Sequence, residues 1–200
     1  MSSEVKLFGL WDCSTVVVTD PGLIGYISLE QKMIPQSYGR NASNRFWKSK
    51  YNIVERLMGK LMIPGHRGKS HKLTSGYCTG KGITVYNIVV NTFKLIEKQL
   101  NKNPIEVFVV AVQNSAPREE ITTIEYGGAR YPQAVDCGPQ RRVDIALRQM
   151  VQGAYSKCFN KKVSIEKTLA NEIIAAYNND QSSQAISKKI ELERQADSSR

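Results

Sequence analysis

The chain has 200 residues and a mass of 22.4 kDa, is 41% hydrophobic and 23% charged, and carries a formal net charge of +10 with a pI near 9.5. That composition excludes a disordered chain and fits one domain with appendages, long enough to bury a core. No apolar run reaches the ~18–20 residues of a membrane span, so no spanning segment is expected, and the first residues lack the apolar stretch of a signal peptide. Of the polyanions a basic chain can meet, nucleic acid is the expected partner and no membrane is expected.

The positive balance predicts a polyanionic partner, RNA or DNA before an acidic membrane surface. Its distribution is uneven. Residues 1–39 carry two Lys/Arg and four acids, net −2; residues 40–82 carry ten and one, net +9; residues 83–200 carry sixteen and thirteen, net +3. The cysteines, Cys13, Cys78, Cys137 and Cys158, are scattered without a CxxC pair. That argues against a disulfide framework and for a reducing compartment.

Along the chain, residues 1–42 hold two short apolar runs, Val5–Trp11 and Ser14–Thr19, broken by the turn signal Asp20-Pro21-Gly22. This segment is too small for its own core and reads as an N-terminal extension packing on a main domain of residues 43–200. Next come Arg40, Arg45, Lys48 and Lys50, interleaved with Phe46, Trp47 and Tyr51. Cations among aromatics suit phosphate contacts; the rings themselves are expected in the core. A helix is predicted over Asn52–Ile63, with Asn52 and Glu55 resembling a capping box. Its apolar stripe is Ile53, Val54, Leu57, Met58, Leu61 and Met62, and Lys60 lies off it.

Pro64 to Gly82 holds five glycines, Arg67, Lys69, Lys72, Lys81, two histidines and no acid. It reads as a basic loop that orders against phosphates. The run Ser75–Gly82 superficially resembles a P-loop, but Ser75 stands where that motif needs its first glycine and Gly82 where it needs Ser or Thr. Gly68-Lys69-Ser70 fails as well, with Ile63 at the first glycine position. His66, His71 and Cys78 lack paired metal-ligand spacing, so neither a nucleotide cofactor nor a metal is expected.

Thr84 is expected to cap a helix over 85–100 with Val85, Val89, Phe93, Ile96 and Leu100 inward. Asn103-Pro104 starts another, although Val107–Val112 is strand-like in composition. Ile121–Tyr126, Gly127-Gly128 and the run after it form a β-hairpin signal, with Pro132 marking an edge. The half-apolar first strand suits an arm, at about residues 118–136, projecting from a helical body. Gly138-Pro139 opens a helix with Val143, Leu147, Met150, Val151 and Ala154 inward. Arg141 and Arg142 in its first turn oppose the macrodipole and suggest an external anion. Lys161-Lys162 is a basic loop, Ser164 caps a helix with Ile165, Leu169, Ile173 and Ala176 inward, and 184–200 is a charged helix that docks on the body or a partner. The fold class expected is mainly α, a helical bundle body with a projecting two-stranded hairpin.

These blocks in this order resemble the universal small-subunit ribosomal protein numbered seven in bacteria and five in eukaryotes, the eukaryotic form nearly end to end. The resemblance rests on Lys6-Leu7-Phe8-Gly9, Ile53–Leu57, Asn103-Pro104, Asn114–Glu119, Gln133–Asp136, Pro139–Val143 and Ile190–Arg194, with Gly127-Gly128-Ala129 and Tyr131 like the bacterial hairpin. It implies a structural constituent of the 40S subunit in the cytoplasm, assembled in the nucleolus if eukaryotic. It further implies binding to the 3′ major domain of small-subunit rRNA, support of head assembly beside neighbouring head proteins, and an arm near the mRNA exit channel and exit-site tRNA. RNA contacts are expected from Arg40, Arg45, Lys48, Lys50, Lys60, Arg67, Lys69, Lys72 and Lys81. In and beyond the arm they are expected from Arg118, Arg130, Arg141, Arg142, Lys161, Lys162, Lys188, Lys189 and Arg194. No catalytic motif competes; the alternatives are a free basic RNA or DNA chaperone and, failing the motifs above, a P-loop or metal-dependent enzyme. The loop at 64–82 is longer than the family's usual turn. The arm's first strand is acidic, with Glu119, Glu120 and Glu125, and Pro117–Arg142 sums to zero charge.

Overall fold

The computed structural model describes residues 5–63 and 80–200. Two short 3-10 turns, Arg40–Ser43 and Trp47–Ser49, precede the helices α1 (Ile53–Leu61), α2 (Gly82–Leu100) and α3 (Pro104–Ser115). The hairpin strands β1 (Glu119–Tyr126) and β2 (Ala129–Asp136) follow, then α4 (Pro139–Cys158), α5 (Ile165–Tyr177) and α6 (Gln184–Ser198). The described residues are mainly helical with one antiparallel ribbon, as the apolar periodicity and the Gly127-Gly128 turn signal predict.

Start signals decide most elements. Asn52 Oδ1 accepts from the Val54 N–H at 2.8 Å and Asn103 Oδ1 from the Ile105 N–H at 3.0 Å, each satisfying an orphan donor of a first helical turn. The strand-like run Val107–Val112 is helical because Asn103-Pro104 opens a helix there. Its composition reflects burial on nearly every side: Val107, Phe108, Val109, Ala111 and Val112 are all fully buried. Two expectations need correction. Glu55 does not return to Asn52; its carboxylate accepts from the Ser37 N–H and hydroxyl at 2.7 and 2.5 Å, which ties the N-terminal extension to α1. Helix α2 starts at Gly82 with Lys81 at the N-cap and no side-chain cap, so Thr84 lies inside the first turn.

α5 packs against α2, α3 and α4, while α1 lies on α4 and α2. The N-terminal segment contributes Leu7, Phe8, Trp11, Val16, Leu23 and Ile27 to the same core as these helices. Phe93 is the ring at which they meet: its centroid lies 6.4 Å from Phe8, 5.7 Å from Trp11 and 5.9 Å from Phe108.

The charged last helix docks on α4 and β1. Its start is held by Glu172 of α5, fully buried, whose Oε1 accepts from the Ser183 hydroxyl at 2.8 Å and the Gln184 N–H at 2.6 Å. Lys157 Nζ donates to the other carboxylate oxygen at 2.5 Å, and a carboxylate at a helix N-terminus is favoured by the macrodipole. Gly153 permits this approach, since a Cβ there would sit 2.9 Å from Gln184 Cβ and 3.0 Å from Glu172 Oε1.

In the hairpin Ile124 pairs with Tyr131 and Tyr126 with Ala129. Gly127 and Gly128, at φ 59° and 82°, form the two-residue turn whose positive φ angles match the strand twist. The distal ribbon is exposed, with Tyr126 81% accessible. Its root is clamped: Arg200 pairs with Glu119, and the Arg118 N–H donates to Glu193 Oε1 at 3.0 Å.

Candidate nucleic-acid interface

The basic turn before α1 carries its cations outward. Arg40, Arg45 and Lys50 are exposed and have no acidic partner among the described residues. The Arg45 guanidinium lies 5.1 Å from the Phe46 ring centroid and Lys50 Nζ 5.2 Å from that of Trp47. Both rings are exposed, against the expectation that they enter the core. Each cation is held by an aromatic face and keeps its charge available.

Lys48 differs. It pairs with Asp144 of α4, whose other oxygen accepts from Arg56 Nη2 at 3.3 Å. Burial alone would raise the Asp144 carboxyl; the Lys48 hydrogen bond and the charges of Arg56, Lys48 and Lys60 outweigh it and hold the group below the ordinary carboxylate range. Half-buried Lys60 is pushed down, chiefly by burial, with Asp144 pulling the other way and Arg148, Lys48 and Arg56 adding to the depression. The sequence offered no sign of this hub, because Asp144 and Lys48 are 96 residues apart.

A folded-state carboxyl below its unfolded value of about 3.9 adds stability that is complete above that pH and is lost as pH falls through the lower folded value. Thermal unfolding is therefore expected to be flat near pH 5–7 and to drop below about pH 4, with Asp144→Asn removing part of that drop. An identical acid profile in the variant would show that the hub contributes nothing.

Between the extension, α1 and Asp144 lies a cavity of about 570 Å³, lined among others by Ser37, Tyr38, Tyr51, Lys48, Met58 and Lys60. Lys81 follows Gly80, whose N–H donates to the Met62 carbonyl at 3.4 Å at the end of α1. The structure thus gathers Arg40, Arg45, Lys48, Lys50, Lys60 and Lys81 around the two ends of α1.

At the root of the arm both arginines find acids within the protein, and the expectation of an external anion is corrected for the inward-turned Arg142, while Arg141 keeps 60% of its side chain exposed. Arg141 grips Glu120 with Nε at 2.5 Å and Nη2 at 2.7 Å. Arg142 is turned inward, 9% accessible, with Nη2 donating to Asp20 Oδ2 at 2.8 Å and Nε to the Pro117 carbonyl at 3.1 Å. Their placement at a helix N-terminus, against the macrodipole, is offset by Glu120 and Asp20 and needs no external anion.

Lys161 and Lys162 are exposed in the α4–α5 loop, and Arg194 is exposed on α6. Lys188 pairs with Glu191 at 2.9 Å along the surface of α6, and Lys189 donates to the Asn114 carbonyl at 2.9 Å, which ties it to the end of α3. Arg130 at the tip faces Glu125 at 3.6 Å, and Arg118 is exposed at the root. Arg67, Lys69 and Lys72 lie outside the described residues, as do His66, His71, Cys78 and most of the P-loop-like runs. Burial pushes the Cys13 and Cys137 thiols up to about 11, with Asp12 and Glu120 adding to it, so neither ionises near neutral pH.

The family model described as ribosomal protein S7p/S5e matches residues 25–200. The small ribosomal subunit protein uS7 of Nanoarchaeum equitans is 56% identical over 197 residues, 98% of this chain and 100% of the relative. The protein of the same name from Archaeoglobus fulgidus is 48% identical over 197 residues, 98% of this chain and 96% of the relative. With near-complete coverage at these identities, the chain belongs to the ribosomal protein S7p/S5e family.

Proposed function

We propose that the chain is a structural protein of the small ribosomal subunit that holds rRNA through the basic face around α1 and carries its hairpin as a placed arm. Family membership makes it a structural ribosomal protein, not an enzyme. The observation that carries the RNA reading is the trio Arg40, Arg45 and Lys50, left without acidic partners among the described residues in a segment of net charge +9. Isolated exposed cations of this kind suit phosphate neutralisation, which dominates nucleic-acid affinity.

The resemblance supports the finer assignment: the 3′ major domain of the rRNA, the head of the subunit, a part in head assembly, and an arm near the mRNA exit channel and exit-site tRNA. The ribosome then places the protein in the cytoplasm; nucleolar assembly would apply to a eukaryotic source, and both relatives are archaeal. The near-neutral arm fits a positional role better than a gripping one.

Hydroxyl-radical probing of small-subunit rRNA with the purified chain tests this. Protection confined to a contiguous part of the 3′ major domain is the expected result. Protection without preference along the RNA would favour a free basic chaperone.

A further inference from the structure

We propose that the cavity beside α1 receives one unstacked RNA nucleotide, its base stacked on Tyr38 and its phosphate held by Lys60. This rests on the rRNA-binding reading above and gives it a specific pocket.

Three independent features converge. Tyr38 lines the cavity yet is 82% accessible, and it adopts φ 53°, a conformation a bulky non-glycine residue rarely takes. Observed strain of this kind clusters at ligand contacts, and here it presents an aromatic face outward instead of burying it. Gly59 lines the same cavity in the interior of α1, where glycine weakens a helix. A Cβ at Gly59 would meet no protein atom within 4 Å. No neighbour within the protein requires the glycine, but its lack of a side chain keeps the cavity open.

The third feature is charge. Lys60 is half-buried, has no ion-pair partner among the described residues, and its ammonium is disfavoured by burial. Asp144, the acid whose charge acts on it, is already shared by Lys48 and Arg56. An anion entering here relieves an uncompensated charge. Glu55 faces the opposite need: its Oε2 is buried without a hydrogen-bond partner, which an N–H on the edge of a base would satisfy. At about 570 Å³ the cavity lies within the usual range for small-ligand pockets. An aromatic platform, an unpaired cation and an unmet acceptor suit a nucleotide better than an apolar peptide segment, which would pack on Pro35, Met58, Met62 and Ile63 but leave Lys60 and the Glu55 acceptor unanswered.

The test compares binding of the full chain and its variants to a 3′-domain fragment of small-subunit rRNA, with base-specific chemical probing and circular dichroism alongside. Tyr38→Gly relieves the positive φ while deleting the ring, and is expected to weaken binding roughly five- to 150-fold, the range for losing one base stack. Gly59→Trp fills the cavity and is expected to weaken binding similarly. In both, one nucleotide protected by the parent chain becomes reactive while the rest of the footprint persists. Lys60→Gln is expected to lower the salt slope by about 0.7–0.9, one phosphate, whereas Lys102→Ala, a cation remote from this face, leaves it unchanged. If Gly59→Trp loses its helical signal, Tyr38→Gly and Lys60→Gln decide the matter. Parent-like affinity, slope and probing in those two variants overturn the pocket. Absence of any specific footprint from the parent chain instead overturns the rRNA-binding reading.

Discussion

Replacing Arg142 by methionine is expected to destabilise the protein by about 3–5 kcal/mol, the combined cost of losing a charge-assisted hydrogen bond to the partly exposed Asp20 and of leaving the buried Pro117 carbonyl without its donor. Three segments meet at this guanidinium. Its Nη2 holds Asp20 of the N-terminal turn, its Nε holds the Pro117 carbonyl at the root of the arm, and its own backbone is the first turn of α4. The Thr19 and Asp20 N–H groups are in turn fixed by Gln113 Oε1 at 2.9 Å each. Methionine keeps the volume but leaves the Asp20 carboxylate and a buried carbonyl without these donors. For a chain of this size the loss corresponds to a fall in Tm of roughly 6–20 °C. The same variant should bind rRNA with an unchanged salt slope, since the side chain is not available to phosphate. A Tm within 2 °C of the parent, or a lowered slope, would return Arg142 to the RNA-facing set.

Phe93→Ala is expected to cost about 3–5 kcal/mol as well, by opening a cavity in the most shared part of the core. The ring has no accessible surface and makes edge-on contacts with Phe8 and Trp11 of the N-terminal extension and a tilted one with Phe108 of α3. Such aromatic contacts add to simple burial. Because the described residues before 40 form no strand or helix, the segment around Phe8 relies on this packing for its position. Loss of the ring should therefore expose the segment around Phe8 to limited proteolysis before the helices melt. Simultaneous loss of both, with no early cleavage, would mean that extension and body unfold as one unit.

Most of the fold was legible because local rules agreed with it. Asn52, Asn103 and Ser164 each cap a helix as their positions predict, and Gly127-Gly128 closes the hairpin. What could not be read was which distant group a polar side chain would choose. Glu55 sits at capping-box spacing but binds Ser37, and Arg142 finds an acid 122 residues away. Phe46 and Trp47 illustrate a second limit: aromatic composition does not distinguish a core ring from one that steadies an exposed cation. For the proposed interface, charge density pointed to residues 40–82, whereas the Asp144 hub and the cavity emerged only when residues 35–63 were brought against α4. Separating paired cations from unpaired ones required the tertiary structure, so Lys188 and Lys189 looked as available as Arg45 until their partners were seen.

Affinity for RNA is expected to reside around α1, with the arm serving placement. The most direct measurement is the salt dependence of binding to small-subunit rRNA for two altered chains, one with Arg40, Arg45 and Lys50 replaced together by alanine, the other lacking residues 124–133. The triple substitution should lower the slope by about 2–3, one phosphate per cation, while the shortened arm leaves slope and helical content near those of the parent. A slope that falls with the arm and survives the triple substitution would contradict the account.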